Sequence, residues 1–261
     1  MEILVVDDSN IARRLTSQLL RSLGHRSDAA ESAEEAISLV AKKGYDIIFL
    51  DLHMPGMGGL EAMAAILKKV RKNRPPPAVV ALTAENSEAQ RQACLAAGMA
   101  GFLTKPCRRD EMSRVIEACQ KHEDVSAFRP GLRPAEGGWT HEPFLRAGTV
   151  EALKRLPGEN GGSLLPEMIA ALEKDTPKTA RQIGVLLRAR SWKAAREGLH
   201  KLIGNFEVIG SPRLAAFCRA CSAHVKDAEG GKRGAGPAVR RLWNDFSNEF
   251  AALKDTLRRD G

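Results

Sequence analysis

The chain has 261 residues, of which 43% are hydrophobic, so it is long enough to bury two hydrophobic cores. No stretch reaches the roughly 18 uninterrupted apolar residues that a membrane helix needs. Glu2, Asp7 and Asp8 near the start do not resemble the basic segment of a signal peptide. Five cysteines in no regular framework suit reduced thiols. We therefore expect no membrane insertion, no structural disulfide and a cytoplasmic location.

The net charge is +8, and its excess lies in the second half of the chain. Residues 143–261 hold 21 Lys and Arg against 13 Asp and Glu. Such an excess favours nucleic acid, an anionic membrane surface or an acidic protein face, unless it is only a set of solvated helix faces. Basic residues do not alternate with aromatic ones, and no helix-turn-helix pattern is present. We therefore expect no nucleic-acid partner and no direct transcriptional output.

Residues 1–122 alternate short apolar runs with amphipathic helical stretches, the pattern of repeated βα units around a parallel sheet. Five repeats predict an α/β doubly wound, five-stranded parallel sheet. Capping residues, glycines and prolines mark the predicted helices. These helices run from Ser9 to Gly24, from Ser32 to Gly44, from Gly59 towards Pro75, from about 87 to 97, and onward from Pro106.

Residues 123–142 lack any period and contain prolines and paired glycines, which predicts a linker. From 143 to 261 the apolar residues recur at helical spacing, which predicts an all-α helical bundle. The predicted segments are 144–156, 163–173, 176–189, 192–209, 212–226 and 237–258, with a Gly/Lys-rich loop at 227–236.

Four apolar runs of the first domain each stop at a reactive polar residue. The runs end at Asp7 and Asp8, at Asp51, at Thr83 and at Lys105. Because the carboxyl ends of parallel strands line one crevice, we expect these side chains to converge there. Crowded carboxylates repel one another by roughly 4 kcal/mol per pair near a protein surface. A hard, oxygen-seeking cation such as Mg²⁺ relieves that repulsion.

This order of residues, with the DLHMPGMGG segment after the third strand, resembles the receiver domain of bacterial two-component response regulators, which has a flavodoxin-like fold. The resemblance covers nearly all of residues 1–122. It implies that Asp51 is the nucleophile that takes a phosphoryl group from a phosphohistidine. It also implies that Asp7 and Asp8 hold Mg²⁺, together with Asp51 and the backbone carbonyl of His53.

The same resemblance implies roles for three further residues. Lys105 and the Thr83 hydroxyl would neutralise the phosphoryl oxygens, which is the main demand of phosphoryl transfer. Phe102 matches the aromatic residue whose rotation accompanies the movement of Thr83, so this pair would form the output switch.

Other interpretations of this stretch fit less well. The Gly56–Gly59 segment lacks the spacing of a dinucleotide-binding loop and follows the third strand instead of the first. A haloacid-dehalogenase-like phosphatase needs an acid two residues after its nucleophile, where this chain has His53. A purely structural ion network is the remaining alternative.

The second domain contains the segment LHKLIGNFEVIG, residues 199–210, which resembles the signature of histidine-containing phosphotransfer (HPt) domains. The resemblance implies that His200 carries a phosphoryl group. Gly204 lies one helical turn later on the same face, where the missing side chain would admit a phosphoaspartate. The family usually has Lys three residues after its His, but this chain has Ile203. We expect Arg196, one turn before His200, to supply the charge, so that Arg196→Ala slows transfer.

Together these observations predict a phosphorelay signalling protein, which is a phosphoryl-group carrier and not an enzyme with a kinase domain. Its expected partners are a sensor histidine kinase and other receiver or HPt proteins. The alternative is an interaction switch in which the helical half binds a partner without carrying phosphate.

Overall fold

A computed structural model describes residues 1–70, 75–83, 88–121, 142–158 and 161–260. The chain divides into two compact units, residues 1–133 and 134–261. The predicted linker, 123–142, lies outside the described residues except for Glu142, so its boundaries stay a prediction. Within the described ranges, no helix combines the length and apolar character that crossing a membrane requires.

The first unit contains a five-stranded sheet whose paired strands are parallel, which confirms the predicted α/β fold class. The strand order is β2-β1-β3-β4-β5. The chain order reverses direction at β1, and in such sheets the crevice beside the reversal is where ligands bind. The strands are β1 (Ile3–Val6), β2 (Ser27–Ala30), β3 (Ile47–Asp51), β4 (Ala78–Thr83) and β5 (Gly101–Thr104).

Five helices connect or follow these strands. They are α1 (Asn10–Ser22), α2 (Ala33–Lys42), α3 (Gly59–Lys69), α4 (Glu88–Ala96) and α5 (Arg109–Gln120). The Ser9 hydroxyl accepts a hydrogen bond from the Ala12 amide at 3.1 Å, and the Ser32 hydroxyl accepts one from Glu35 at 3.2 Å. Each bond satisfies an amide that the first helical turn leaves unpaired, so both predicted helix starts are confirmed.

The sheet is buried on both faces because helices cover it on each side. All four residues of β1 have no solvent exposure, and the same holds for Ile47 to Leu50 of β3. Continuous apolar runs, in contrast to alternating ones, are typical of such doubly covered strands. The polar residues that follow β1 and β3 are therefore held at a fixed position by a rigid core.

The second unit is helical, in agreement with the predicted all-α character. Its helices are α6 (Ala147–Arg155), α7 (Leu164–Arg188), α8 (Trp192–Val208), α9 (Pro212–Glu229), α10 (Ala235–Trp243) and α11 (Phe246–Asp260). Aromatic rings fill much of the core: the Phe206 and Phe217 rings lie 6.2 and 6.1 Å from that of Phe246.

The predicted break between segments 163–173 and 176–189 is wrong, because α7 runs through it with Pro177 in its interior. A proline inside a helix costs about 3 kcal/mol through the lost hydrogen bond and the steric clash. However, Leu172 and Ile183 on either side are fully buried on one continuous stripe, at roughly 1.5–3 kcal/mol each. Burial of the stripe outweighs the cost of the proline.

The predicted single segment 237–258 is also wrong, since it is divided into α10 and α11 by Asn244 and Asp245. The Asp245 carbonyl accepts the amides of Asn248 and Glu249, both at 3.1 Å, which starts the new helix. The break allows the rings of Trp243 and Phe246 to stack at 4.6 Å. The predicted loop is shorter than expected, because α9 continues to Glu229 and α10 begins at Ala235.

Gly59 packs directly against the backbone at the end of β3. A Cβ atom at this position would lie 2.5 Å from the Leu52 Cα and 2.9 Å from the Asp51 carbonyl oxygen. The neighbouring Gly58 meets nothing within 4 Å, so only one of the two glycines is required by packing. The close approach of α3 fixes the backbone that carries Asp51.

We therefore expect Gly59→Ala to destabilise the first unit by about 2–3 kcal/mol, because the clash is with backbone atoms that cannot rotate away. Calorimetry of the full chain should show the melting temperature of that unit lowered by roughly 6–12 °C. Gly58→Ala is the matched control and should cost only about 0.5 kcal/mol as a weakened helix cap. Equal shifts in the two variants would contradict this interpretation.

Candidate functional site

The carboxyl edge of the sheet brings together the acidic residues that the sequence placed at its strand ends. Asp7 and Asp8 follow β1, and Asp51 ends the adjacent strand β3. One carboxylate oxygen from each of these three residues lies within 4.8 Å of the others. Thr83 ends β4, which pairs with β3 on its other side. The topology thus produces the expected convergence.

Lys105 reaches this cluster from the end of β5. Its Nζ lies 2.6 Å from Asp7 Oδ2 and 2.7 Å from Asp51 Oδ2. The Lys105 amide donates to the Thr83 carbonyl at 2.7 Å, which holds the lysine beside β4. Asp51 is only 2% exposed and Asp7 is fully buried, which the sequence did not predict. The buried ammonium contacts both carboxylates and offsets part of their charge, in a contact that is shielded from water.

The pKa shifts follow from this burial. Burial raises the pKa of Asp7 to about 7, against the opposing effect of Lys105, and the neighbouring Asp51 adds to the rise. Burial likewise raises the pKa of Asp51, again opposed by Lys105. Burial by itself would lower the pKa of Lys105, but the negative charges of Asp51 and Asp7 raise this pKa by more than burial lowers it. The lysine therefore stays charged. One ammonium does not fully compensate the acids, and a further cation would favour their ionised forms.

The donor set fits a magnesium ion. Three carboxylates that lie close to one another supply the hard oxygen ligands that Mg²⁺ prefers. The Asp51 Oδ1 atom also accepts the His53 amide at 3.1 Å, which orients the carboxylate and keeps the chain at His53 close to it. Asp7, Asp8 and Asp51 could therefore hold the ion, with the His53 carbonyl as the further oxygen that the sequence suggested.

The two predicted switch residues lie on the paired strands β4 and β5. Thr83 is 2% exposed, and its partner in the strand register is Thr104 of β5. Phe102 lies in β5, is 5% exposed, and has the Arg91 guanidinium 5.8 Å from its ring centre. In this structure the ring of Phe102 is thus packed inward. The segment between Thr83 and Glu88, where a threonine movement would propagate, lies outside the described residues.

Two supporting residues were missed by the sequence reasoning. The Ser9 amide donates to Asp7 Oδ1 at 2.9 Å, and an Arg13 Nη1 donates to the Asp7 carbonyl at 2.5 Å. Both belong to the loop and first turns that follow β1, so they fix the position of the acidic pair. The sequence predicted Ser9 only as a helix cap. The position of Arg13 on α1 did not predict that its side chain reaches back to the end of β1.

The second predicted site lies on α8. His200 is half-buried on this helix, and Gly204 follows it by one turn. A Cβ atom at Gly204 would meet nothing within 4 Å, so packing does not require the glycine there. Ile203, at the usual lysine position, is 6% exposed and belongs to the core. Arg196 lies one turn before His200, and its Nη1 is 3.6 Å from Glu229 Oε2 of α9.

Residues 3–117 match the family model described as the response regulator receiver domain. This match agrees with the five-stranded sheet and its acidic edge, and it confirms the receiver-domain prediction for this part of the chain. Residues 3–117 are therefore a receiver domain. The match does not extend to the helical unit, so the HPt assignment stays a prediction.

Individual relatives are similar to the whole chain. Sensor histidine kinase AruS of Pseudomonas aeruginosa is 30% identical over 263 residues, which cover 100% of this chain and 23% of AruS. Sensor protein GacS of Pseudomonas syringae pv. syringae is 27% identical over 258 residues, covering 98% of this chain and 27% of GacS. The chain therefore spans about a quarter of the length of these relatives, and both alignments include the helical unit.

One solved structure is the receiver domain of sensor histidine kinase PA1611 from Pseudomonas aeruginosa PAO1, with a magnesium ion coordinated in its active site cleft. It is 32% identical, with coverage of 44% of this chain and 93% of that chain. The TM-score of that comparison is 0.40.

We expect Mg²⁺ to stabilise the first unit because it binds the folded acidic cluster and not the unfolded chain. At ten times its dissociation constant, the ion should add about 1.4 kcal/mol, seen as a raised melting temperature in calorimetry. Asp8→Asn should remove most of this gain. Asp46→Asn is the control, since Asp46 is exposed at the opposite edge of the sheet, and it should keep the full response. An equal response in both variants would exclude the cluster as the ion site.

Proposed function

We propose that the chain is a phosphorelay carrier in which Asp51 accepts a phosphoryl group from a phosphohistidine and His200 carries one in the helical unit. The observation that carries the first half is the buried contact of Asp51 with Lys105 beside Asp7 and Asp8. The receiver-domain match over residues 3–117 supports it. The second half is supported by the position of His200 on α8 and the open space at Gly204.

Transfer to Asp51 needs an in-line approach by one carboxylate oxygen. The new O–P bond forms as the N–P bond of the donor phosphohistidine breaks, and the leaving imidazole keeps the electron pair and takes up a proton from water. Asp51 Oδ1 is oriented by the His53 amide, and Oδ2 is held by Lys105. Since Asp51 is 2% exposed, the donor must approach beside the half-buried Asp8 and His53.

Lys105 stabilises the product as well as the resting site. Its ammonium lies 2.7 Å from the Asp51 oxygen, so a short movement brings it to an oxygen of the bound phosphoryl group. Bound Mg²⁺ would supply further neutralisation of the phosphoryl charge at the Asp7, Asp8 and Asp51 oxygens. Thr83 ends β4, the strand between β3 and β5, and its hydroxyl would donate to the same group.

The output of the receiver follows from the same contacts. When Lys105 and Thr83 move towards the phosphoryl group, the carboxyl ends of β4 and β5 rearrange, because the Lys105 amide is bonded to the Thr83 carbonyl. We propose that Phe102, packed inward on β5, changes rotamer with this movement. The phosphoryl group would thus be reported at the surface near α4 and α5.

The proposed partners are a sensor histidine kinase and other receiver or HPt proteins, and the chain itself would act as a carrier without kinase activity. The basic excess of residues 143–261 suits an acidic receiver face and speeds encounter. All five cysteines are free thiols, which agrees with the reducing cytoplasm that we propose as the location.

The proposal is tested by incubating the full chain with a histidine kinase that carries a radiolabelled phosphoryl group on its histidine. Wild type should acquire both acid-stable label on Asp51 and base-stable label on His200. Asp51→Asn should abolish the acid-stable label because the nucleophile is lost, and His200→Gln should abolish the base-stable label. The label is measured on denatured protein after acid and base treatment.

The outcomes separate the carrier from an interaction switch. Label on Asp51 with none on His200, in the presence of phosphorylated receiver partners, would make the helical unit a docking module. An Asp51→Asn protein that still gains acid-stable label would overturn the assignment of the nucleophile. Asp46→Asn serves as the matched control and should be labelled as wild type is.

Gly204 provides a separate test of the His200 surface. Gly204→Gln should leave the bundle as stable or up to about 1 kcal/mol more stable, because a side chain has room there and glycine is a poor helix former. The same variant should slow transfer to His200, because the side chain blocks the approach of a phosphoaspartate. Calorimetry and label transfer measure the two effects; unchanged transfer would show that this face is not the docking surface.

A further inference from the structure

The helical unit lacks the lysine that the HPt resemblance places three residues after the histidine. Ile203 occupies that position and is buried in the core. Arg196, the substitute suggested by the sequence, is engaged by Glu229. A phosphoryl group on His200 brings two negative charges to the surface of α8, so the question is which cation faces it.

Two ion pairs between α8 and α9 fix the level of His200 relative to α9. Arg196 pairs with Glu229, and Glu207 pairs with Arg219. The two helices are antiparallel, because the eleven residues from Arg196 to Glu207 on α8 correspond to the ten residues from Glu229 back to Arg219 on α9. His200 lies four residues after Arg196, so it is at the same height as residue 225 or 226 of α9. Along the helix axes, the imidazole therefore lies between the two ion pairs.

Of these two residues, only one faces the solvent. Val225 is fully buried in the core, whereas Lys226 is exposed. Lys226 is seven residues after Arg219 and three before Glu229, which places all three on one stripe of α9. That stripe borders the groove beside α8, because its two flanking members contact α8. By this spacing Lys226 lies on the side of α9 that borders α8, at about the height of His200.

We propose that Lys226 of α9 is the residue that binds the phosphoryl oxygens on His200, in the role of the lysine that is missing three residues after His200, where α8 has Ile203. Both acids that border this part of the groove, Glu207 and Glu229, are engaged by arginines. The four-methylene stem lets the Lys226 ammonium reach across the groove. The inference rests on the proposed carrier function of His200.

The reaction at this site is transfer from a receiver phosphoaspartate. The lone pair of one His200 ring nitrogen attacks phosphorus, the N–P bond forms, and the O–P bond of the acyl phosphate breaks with its electron pair leaving on the aspartate. The proton of the other ring nitrogen is then released to water. Lys226 would neutralise the equatorial oxygens during transfer and in the product.

Label transfer from a phosphorylated receiver to full-length variants carrying Asp51→Asn tests this inference. Lys226→Met should slow labelling of His200 at least about tenfold, corresponding to about 1.4 kcal/mol. Lys226→Arg should recover most of the rate. Arg196→Ala should slow transfer less than Lys226→Met does, because Arg196 shares its charge with Glu229. Lys174→Met, at an exposed position of α7 nine residues before Ile183, is the control and should transfer as wild type.

A second measurement tests the placement without relying on transfer. The NMR signals of the His200 ring should shift in Lys226→Met and stay unchanged in Lys174→Met. Wild-type rates and unshifted ring signals in Lys226→Met would overturn the inference while leaving the carrier function intact. The protein that retains Lys226 should be labelled on His200 by a donor that labels HPt proteins. If it is not labelled, both the carrier function and this inference are overturned.

Discussion

The contact of one buried ammonium with two buried carboxylates is the constraint on which the first unit depends. Lys105 lies within 2.7 Å of both Asp7 and Asp51, and none of the three side chains is more than 7% exposed. Removing any partner would leave an uncompensated charge away from water. Lys105 and Asp7 follow β5 and β1, and Asp51 ends β3, so this contact also joins the carboxyl ends of strands that are distant in the sequence.

The same contact accounts for how the site could respond to a ligand. Its acids carry more negative charge than Lys105 compensates, so a cation or a cation-bound phosphoryl group is favoured there. In the proposed function, an incoming phosphoryl group would compete with Asp51 for the lysine. Since the Lys105 amide is bonded to Thr83, this competition would be transmitted to β4 and β5. A single residue would then link binding to output.

The proposed carrier site of the second unit is built on helices. His200 is half-buried on α8. We propose that the charge it needs comes from the neighbouring helix, and the pairs Arg196–Glu229 and Glu207–Arg219 set the alignment of α8 with α9. The aromatic core around Phe206 and Phe246 keeps that alignment rigid.

The sequence by itself determined the parallel sheet, the helix starts at Ser9 and Ser32, and the residues at the strand ends, since periodicity and capping are local properties. It also placed His200 and Gly204 on one helix face. Only the tertiary structure decided that Asp51 is buried, that α7 continues through Pro177, and that Lys226 stands level with His200. These features depend on burial and on the alignment of distant segments, which are set by packing between elements and leave no local pattern.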